Sequence, residues 1–296
     1  MEYTPLGRSG LMISDIAFGC MSLGADDREN AALIHRALEK GINFFDTADL
    51  YDKGRNETTV GKALRAKRKD VVIATKVGNQ WRADGSGWDW NPGKEYILAA
   101  VHQSLARLQT DYIDLYQLHG GTIDDPIDET IEAFEQLQRE GKIRCYGISS
   151  IRPNVIREYV RRSHIASVMM QYSLLDRRPE ESCLPLLHGH QIGVLARGSL
   201  ARGLLVDKPA APFLQYTETE VQRAADAVRS LSGPQRPAAQ TAIGFVLQQP
   251  AVTCAVTGIR TLAQLEEITA PATPLSPEER GTLSTVLPVN YYDAHR

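Results

Sequence analysis

The chain has 296 residues, 43% hydrophobic and 23% charged, a balance that fits a folded globular protein and excludes a disordered one. Its 33 Lys and Arg against 36 Asp and Glu leave a formal net charge of −3, which gives no electrostatic basis for nucleic acid or an anionic membrane as the main partner. Cys20, Cys145, Cys183 and Cys254 show neither metal-ligand pairing nor a disulfide framework. The opening MEYTPLGRSG has no apolar signal core, and no stretch reaches bilayer length. The expectation is a soluble, reduced, cytoplasmic protein, monomeric by default.

The first residues, YTPLGRSGLMI, read as a short hairpin. Apolar runs then recur along the chain: IAFGC (16–20), INFFDTA (42–48), VVIATKV (71–77), YIDLYQLH (112–119), IRCYGIS (143–149), SVMMQY (167–172), IGVLARG (192–198) and AVTCAVTG (251–258). Most are too continuously apolar for half-exposed strands and read as strands buried on both faces. Amphipathic helices lie between them. RENAALIHRALEKG ends at Gly41, KEYILAAVHQSLARL carries Ile97, Val101, Leu105 and Leu108 at helical spacing, and DETIEAFEQLQREGK ends at Gly141. This alternation, with no linker of domain-boundary composition, predicts one (β/α)8 barrel over residues 1–296 rather than a doubly wound sheet. The leading hairpin would sit at the closed end.

In such a barrel the functional groups stand where strands end and βα loops begin. Asp46 ends the second barrel strand, Tyr51 follows on its loop, Lys76 lies near the end of the third strand and His119 ends the fourth. Singly, each has an ordinary role: a turn cap, a loop aromatic, a snorkelling charge, a satisfied polar group. Together they fit one chemistry. Tyrosine is a poor acid, with a pKa of about 10. A nearby ammonium stabilises the tyrosinate, a carboxylate keeps that ammonium charged and aimed, and a histidine orients a carbonyl oxygen or relays the proton. Such a set protonates an alkoxide as hydride arrives at a carbonyl carbon. Trp81, Trp88 and Trp90 all fall in NQWRADGSGWDWNPG, where they either anchor a long loop or wall a substrate site.

With those residues in place the chain resembles the aldo-keto reductase family over nearly its whole length. The resemblance rests on LGRSGLMISDIAFGCMSLG, GINFFDTADLYDKGRNE, IATK, DYIDLYQLH, GKIRCYGISS and TGIRTLAQLEE. It implies NADPH-dependent reduction of aldehydes or ketones without a metal, with NADH as the lesser cofactor, and a tetrad of Asp46, Tyr51, Lys76 and His119. It also implies cofactor contacts from Gly19, Cys20 and Met21 after the first strand, and from Ser149 and Gln171 at the carboxamide. Arg197, Gly198, Ser199, Leu200 and Gly203 would follow on the seventh-strand loop, and Gly258, Arg260, Gln264 and Glu267 near the adenosine. Arg197 replaces a ring-stacking tyrosine and could cover the nicotinamide with its planar guanidinium, while Gly198 replaces a serine. Ser150 and Ile268 stand where the family often has Asn. Two rival readings are a cofactor-loaded regulatory subunit like those beneath potassium channels, and an aldolase or isomerase using Lys76 as a Schiff base.

Overall fold

The structure, a computed structural model, describes residues 1–296. An antiparallel hairpin of β1 (Tyr3–Pro5) and β2 (Met12–Ser14) comes first. The chain then runs β3 (Ile16–Gly19), α1 (Asp27–Glu39), β4 (Phe44–Asp46), α2 (Arg55–Leu64), β5 (Val72–Val77), a second hairpin of β6 (Asn79–Trp81) and β7 (Trp88–Trp90), and α3 (Lys94–Leu108). Next come β8 (Ile113–Leu118), α4 (Ile127–Arg139), β9 (Ile143–Ser149), α5 (Pro153–Arg162), β10 (Ser167–Gln171), α6 (Cys183–Gly189) and β11 (Gly193–Arg197). The last elements are α7 (Glu218–Ser230), α8 (Ala238–Leu247), β12 (Val252–Gly258), α9 (Leu262–Thr269) and α10 (Pro277–Thr285). Strands β3, β4, β5, β8, β9, β10, β11 and β12 pair in parallel in that order, and β12 closes on β3. This is the expected (β/α)8 barrel, and each barrel strand falls within one of the apolar runs. No helix is long and apolar enough to cross a membrane.

Strand periodicity of two explains both the core and the placement of the site. Ala17, Phe44, Val72, Leu115, Met169, Leu195 and Cys254 belong to the cluster inside the barrel. Their neighbours Phe18, Phe45, Ile73, Tyr116, Val168, Val194 and Ala255 belong to the larger cluster between sheet and helices. Phe18, Phe44 and Phe45 are 0% exposed, and burying each contributes roughly 1.5–3 kcal/mol. Stepping by two from the interior residues towards the strand C-termini reaches Asp46, Lys76, Gln117, Ser149, Gln171 and Arg197. The register sets these ends level: Asp46 pairs with Gly19 and Ala74, Lys76 with Gln117, and Gln171 with Arg197.

The first hairpin plugs the other end. Leu6 and Ile13 are fully buried in the interior cluster. Gly7 turns at φ +52°, and a Cβ there would lie 2.4 Å from the carbonyl oxygen of Ala166, just ahead of β10. Only glycine lets the turn sit so close beneath the strands. All four cysteines are free and buried, two of them in β9 and β12.

Candidate active site

At the open end Lys76 is 1% exposed and Asp46 4%. The Lys76 ammonium donates to Asp46 Oδ2 at 2.7 Å, to the carbonyl oxygen of Thr47 at 2.7 Å and to the Tyr51 hydroxyl oxygen at 3.3 Å. An ammonium has three protons and no lone pair, so all three are committed and Tyr51 can only accept. The tyrosine's own proton is thereby left free to point into the cavity. Gln117 Nε2 donates to the other oxygen of Asp46 at 3.4 Å. Burial by itself would push the Lys76 ammonium towards neutrality, but the charge of Asp46, Tyr51 and the bond to Asp46 outweigh it and leave its pKa above the ordinary lysine value. Burial raises the Asp46 carboxyl, and the Lys76 charge and hydrogen bond pull it back.

The His119 ring meets Tyr51 edge-on, with centroids 5.8 Å apart at 83°. Burial first, then the positive charges of Lys76 and Arg197, push the imidazole down to about 3. It is neutral at physiological pH and can offer a nitrogen to a carbonyl oxygen without carrying charge. Its Nδ1 has no protein partner. The pKa lies below the ordinary histidine value of 6.5, so the unfolded chain takes up this proton first. Stability from His119 is therefore complete above about pH 6.5 and drains as pH falls towards about 3. The ¹³C resonances of this ring are expected to stay constant from pH 8 to about pH 5, whereas an exposed histidine titrates in that window. A midpoint above pH 5 would show the ring to be solvated.

Tyr51 itself is held by a tight turn. Its N–H donates to the Ala48 carbonyl at 3.2 Å, and Asp49 N–H donates to the Lys76 carbonyl at 3.3 Å. The next residues, Asp52, Lys53 and Gly54, take left-handed φ of 48°, 52° and 85°. Two consecutive non-glycine residues in that region store strain beside a proposed catalytic group. Thr47 Oγ1 donates to Asn56 Oδ1 at 2.6 Å, and Asn56 Nδ2 donates to the Cys20 carbonyl at 2.8 Å, fastening this loop to the neighbouring one.

The four residues open into a cavity of about 790 Å³ whose wall also includes Gly19, Met21, Ser149, Gln171, Arg197 and Gly198. Gly258 and Arg202 border both this cavity and a second one of about 340 Å³, which is lined by Leu200, Gly203, Arg260, Gln264 and Glu267. Buried Ile268 lines the second cavity too. A third groove of about 730 Å³ runs past Tyr51, Lys53 and Arg55 to Trp81 and Trp88. Two residues expected to contact the cofactor line neither of the first two cavities. Cys20 is 0% exposed with its thiol towards the Phe18 carbonyl, behind the wall, and Ser199 is 2% exposed with an unpartnered hydroxyl.

The three tryptophans part company. Trp88 lines the cavity that Lys76 and Tyr51 open into, Trp81 lines the groove beside it and a further one but not this cavity, and Trp90 faces away. Trp90 Nε1 donates to both oxygens of Asp125 at 3.1 Å, and its ring fills the space beside Gly78, where a Cβ would lie 2.6 Å away. Trp90 is a loop anchor. Gln117, Arg152 and Arg202 were not singled out from the sequence. Gln117 was accessible to strand parity, since it lies two residues from the interior Leu115 and two from His119.

The Aldo/keto reductase family matches this chain over residues 15–287. The chain belongs to the aldo-keto reductase family. It is 50% identical, over the full length of both chains, to "Uncharacterized oxidoreductase YqkF" of Bacillus subtilis. It is 34% identical to "NADH-specific methylglyoxal reductase" of Escherichia coli over 225 residues, covering 69% of each chain. Among solved structures it is similar to the holo form of aldo-keto reductase AKR11C1 from Bacillus halodurans, with a TM-score of 0.94 at 49% identity, over 100% of this chain and 99% of that one. Against the apo form, with the same coverage, the score is 0.85 at 46% identity. This aldo-keto reductase is thus an oxidoreductase of a family that works on carbonyl compounds with nicotinamide cofactors.

Proposed function

We propose that this protein reduces aldehydes or ketones with NADPH, Tyr51 being the general acid. The observation that carries the proposal is the hydrogen-bond chain from Asp46 through Lys76 to Tyr51, which leaves the tyrosine proton as the one free to move. When bound, a nicotinamide supplies hydride to the carbonyl carbon. Tyr51 gives its proton to the carbonyl oxygen, the fixed Lys76 charge stabilises the tyrosinate left behind, and neutral His119 orients the oxygen.

The residues present fit such a cofactor. Two cavities share a border, and the deep polar groups His119 Nδ1 and Thr257 Oγ1 lack protein partners on their walls. Arg197 would cover the ring, Ser149 and Gln171 would meet its amide, Arg202 would face the bridging phosphates, and Arg260 the 2′-phosphate. A further fact supports the reading: the N-terminus of α9 is capped by Thr261 Oγ1, which accepts from the Gln264 N–H at 3.2 Å, and suits an anion. The test is NADPH oxidation against a panel of aldehydes and ketones. Absence of turnover with every activated aldehyde would reject the proposal.

NADPH over NADH rests on Arg260, which is exposed at the rim of the second cavity. A charged hydrogen bond to phosphate is worth about 1.5–3 kcal/mol. Arg260→Ala is therefore expected to weaken NADPH about 10- to 100-fold and NADH hardly at all, as measured by fluorescence titration. Equal losses would show that Arg260 reads some other part of the cofactor.

A further inference from the structure

The catalytic cavity contains a cation that the reaction outlined above does not use. Arg152 lies on its wall with Tyr51, His119 and Trp88, at the N-cap position of α5. Its backbone N–H donates to Ser150 Oγ at 3.2 Å. Its guanidinium donates through Nη1 to the carbonyl oxygen of Gly121, two residues after His119. The side chain is thus tied to the loop that carries the catalytic histidine. Arg152 does not border the second cavity, where Arg260 and Lys208 stand ready for the cofactor's phosphates.

No carboxylate pairs with it. Arg68, Arg107, Arg162, Arg177 and Arg178, partly buried, and Arg236, buried, each hold an Asp or Glu, whereas Arg152 holds none, like Arg197 in the same cavity, which is assigned to the nicotinamide. Asp125, close to Gly121, is committed to Trp90 Nε1 and to the backbone and hydroxyl of Thr122. The Gly121 carbonyl is the one protein acceptor of this guanidinium, so its other N–H groups are left to solvent or to a ligand in the cavity. Its planar fork matches a carboxylate.

We propose that Arg152 is a specificity-determining residue that binds a carboxylate on the substrate, so that the preferred substrates are aldehydes or ketones carrying a carboxylate at a distance from the reacting carbonyl. This rests on the carbonyl-reductase reading. The carboxylate end would sit at Arg152 and the carbonyl at Tyr51 and His119. The reaction itself is unchanged: aldehyde, NADPH and a proton give alcohol and NADP⁺.

The test compares kcat/KM for benzaldehyde with that for its 2-, 3- and 4-carboxylated derivatives, in the wild type and in Arg152→Gln and Arg152→Lys. At least one carboxylated isomer should be preferred over benzaldehyde in the wild type. That isomer should lose about 10- to 100-fold in Arg152→Gln, chiefly through KM, with partial recovery in Arg152→Lys and with benzaldehyde within about twofold throughout. A role confined to holding the Gly121 loop would instead displace His119 and depress all four aldehydes together, and that result would overturn the proposal. So would a wild type that reduces benzaldehyde but shows no Arg152-dependent preference for any isomer, while leaving the reductase reading intact. A wild type that reduces none of the four would reject this proposal, and with it the reductase reading if the activated aldehydes fail as well.

Discussion

Tyr51→Phe is expected to lower kcat/KM for carbonyl reduction by roughly a hundred- to ten-thousandfold, the usual cost of losing a general acid. The substitution removes one oxygen. The ring would keep its place against His119, and the Lys76 ammonium would keep two of its three acceptors, Asp46 and the Thr47 carbonyl. NADPH affinity should stay within about twofold, because the proposed partner of the hydroxyl is the carbonyl oxygen and not the cofactor's phosphates. The loss should therefore appear almost wholly in kcat, as for an interaction made only in the transition state. Single-turnover reduction of an activated aldehyde, with a separate binding titration, measures the two effects apart. A rate near that of the wild type would remove Tyr51 from the mechanism and leave His119 or water as the acid.

The second large effect concerns the buried pair behind the tyrosine. Lys76→Met removes the charge that stabilises the tyrosinate, so the rate should fall nearly as far as in Tyr51→Phe. It also strands Asp46, 4% exposed, with no counter-ion. A stranded buried charge costs about 3–5 kcal/mol unless the group takes up a proton. Asp46→Asn leaves the ammonium present, still bonded to Thr47 but poorly aimed, and should cost less activity. In the double variant the carboxylate has no lysine left to orient. Its removal should add little to the rate loss and should recover part of the stability that Lys76→Met forfeits. Groups that act as a unit behave in this way, with combined effects far below the product of the single ones. A double-mutant cycle on kcat/KM, with Tm recorded for each protein, measures both couplings. Fully multiplicative rate losses together with additive Tm losses would return Asp46 to the role of a turn residue.

The barrel was legible because its strands are buried on both faces, so that runs such as VVIATKV and YIDLYQLH carry no surface alternation to obscure them. The tetrad was legible for a related reason: three of its members are strand-end residues, and strand parity aims them inward. The hairpin of β6 and β7 was not legible. Its strands are three residues each and scarcely buried, and it is held by side chains, Arg82 forking onto both oxygens of Asp89 at 2.6–3.1 Å. That hairpin also separates the tryptophans, since Trp81 pairs with Trp88 across it while Trp90 pairs with Asn79. Arg152 reads locally as nothing more than a helix start before Pro153. Only barrel closure brings it beside the loop after His119.

The buried cysteines bear on what the open end handles. Cys20 and Cys254 are 0% exposed, Cys183 1% and Cys145 5%. Burial pushes the Cys145 thiol up to about 12 and raises Cys20 and Cys254 well above the usual range. The thiolate, not the thiol, is the sulfur nucleophile that adds to an electrophilic carbonyl carbon. An accessible thiolate on the approach to the mouth would be open to such addition. Here all four sulfhydryls are buried and their pKa values raised, so a carbonyl compound at the open end would meet no accessible thiolate.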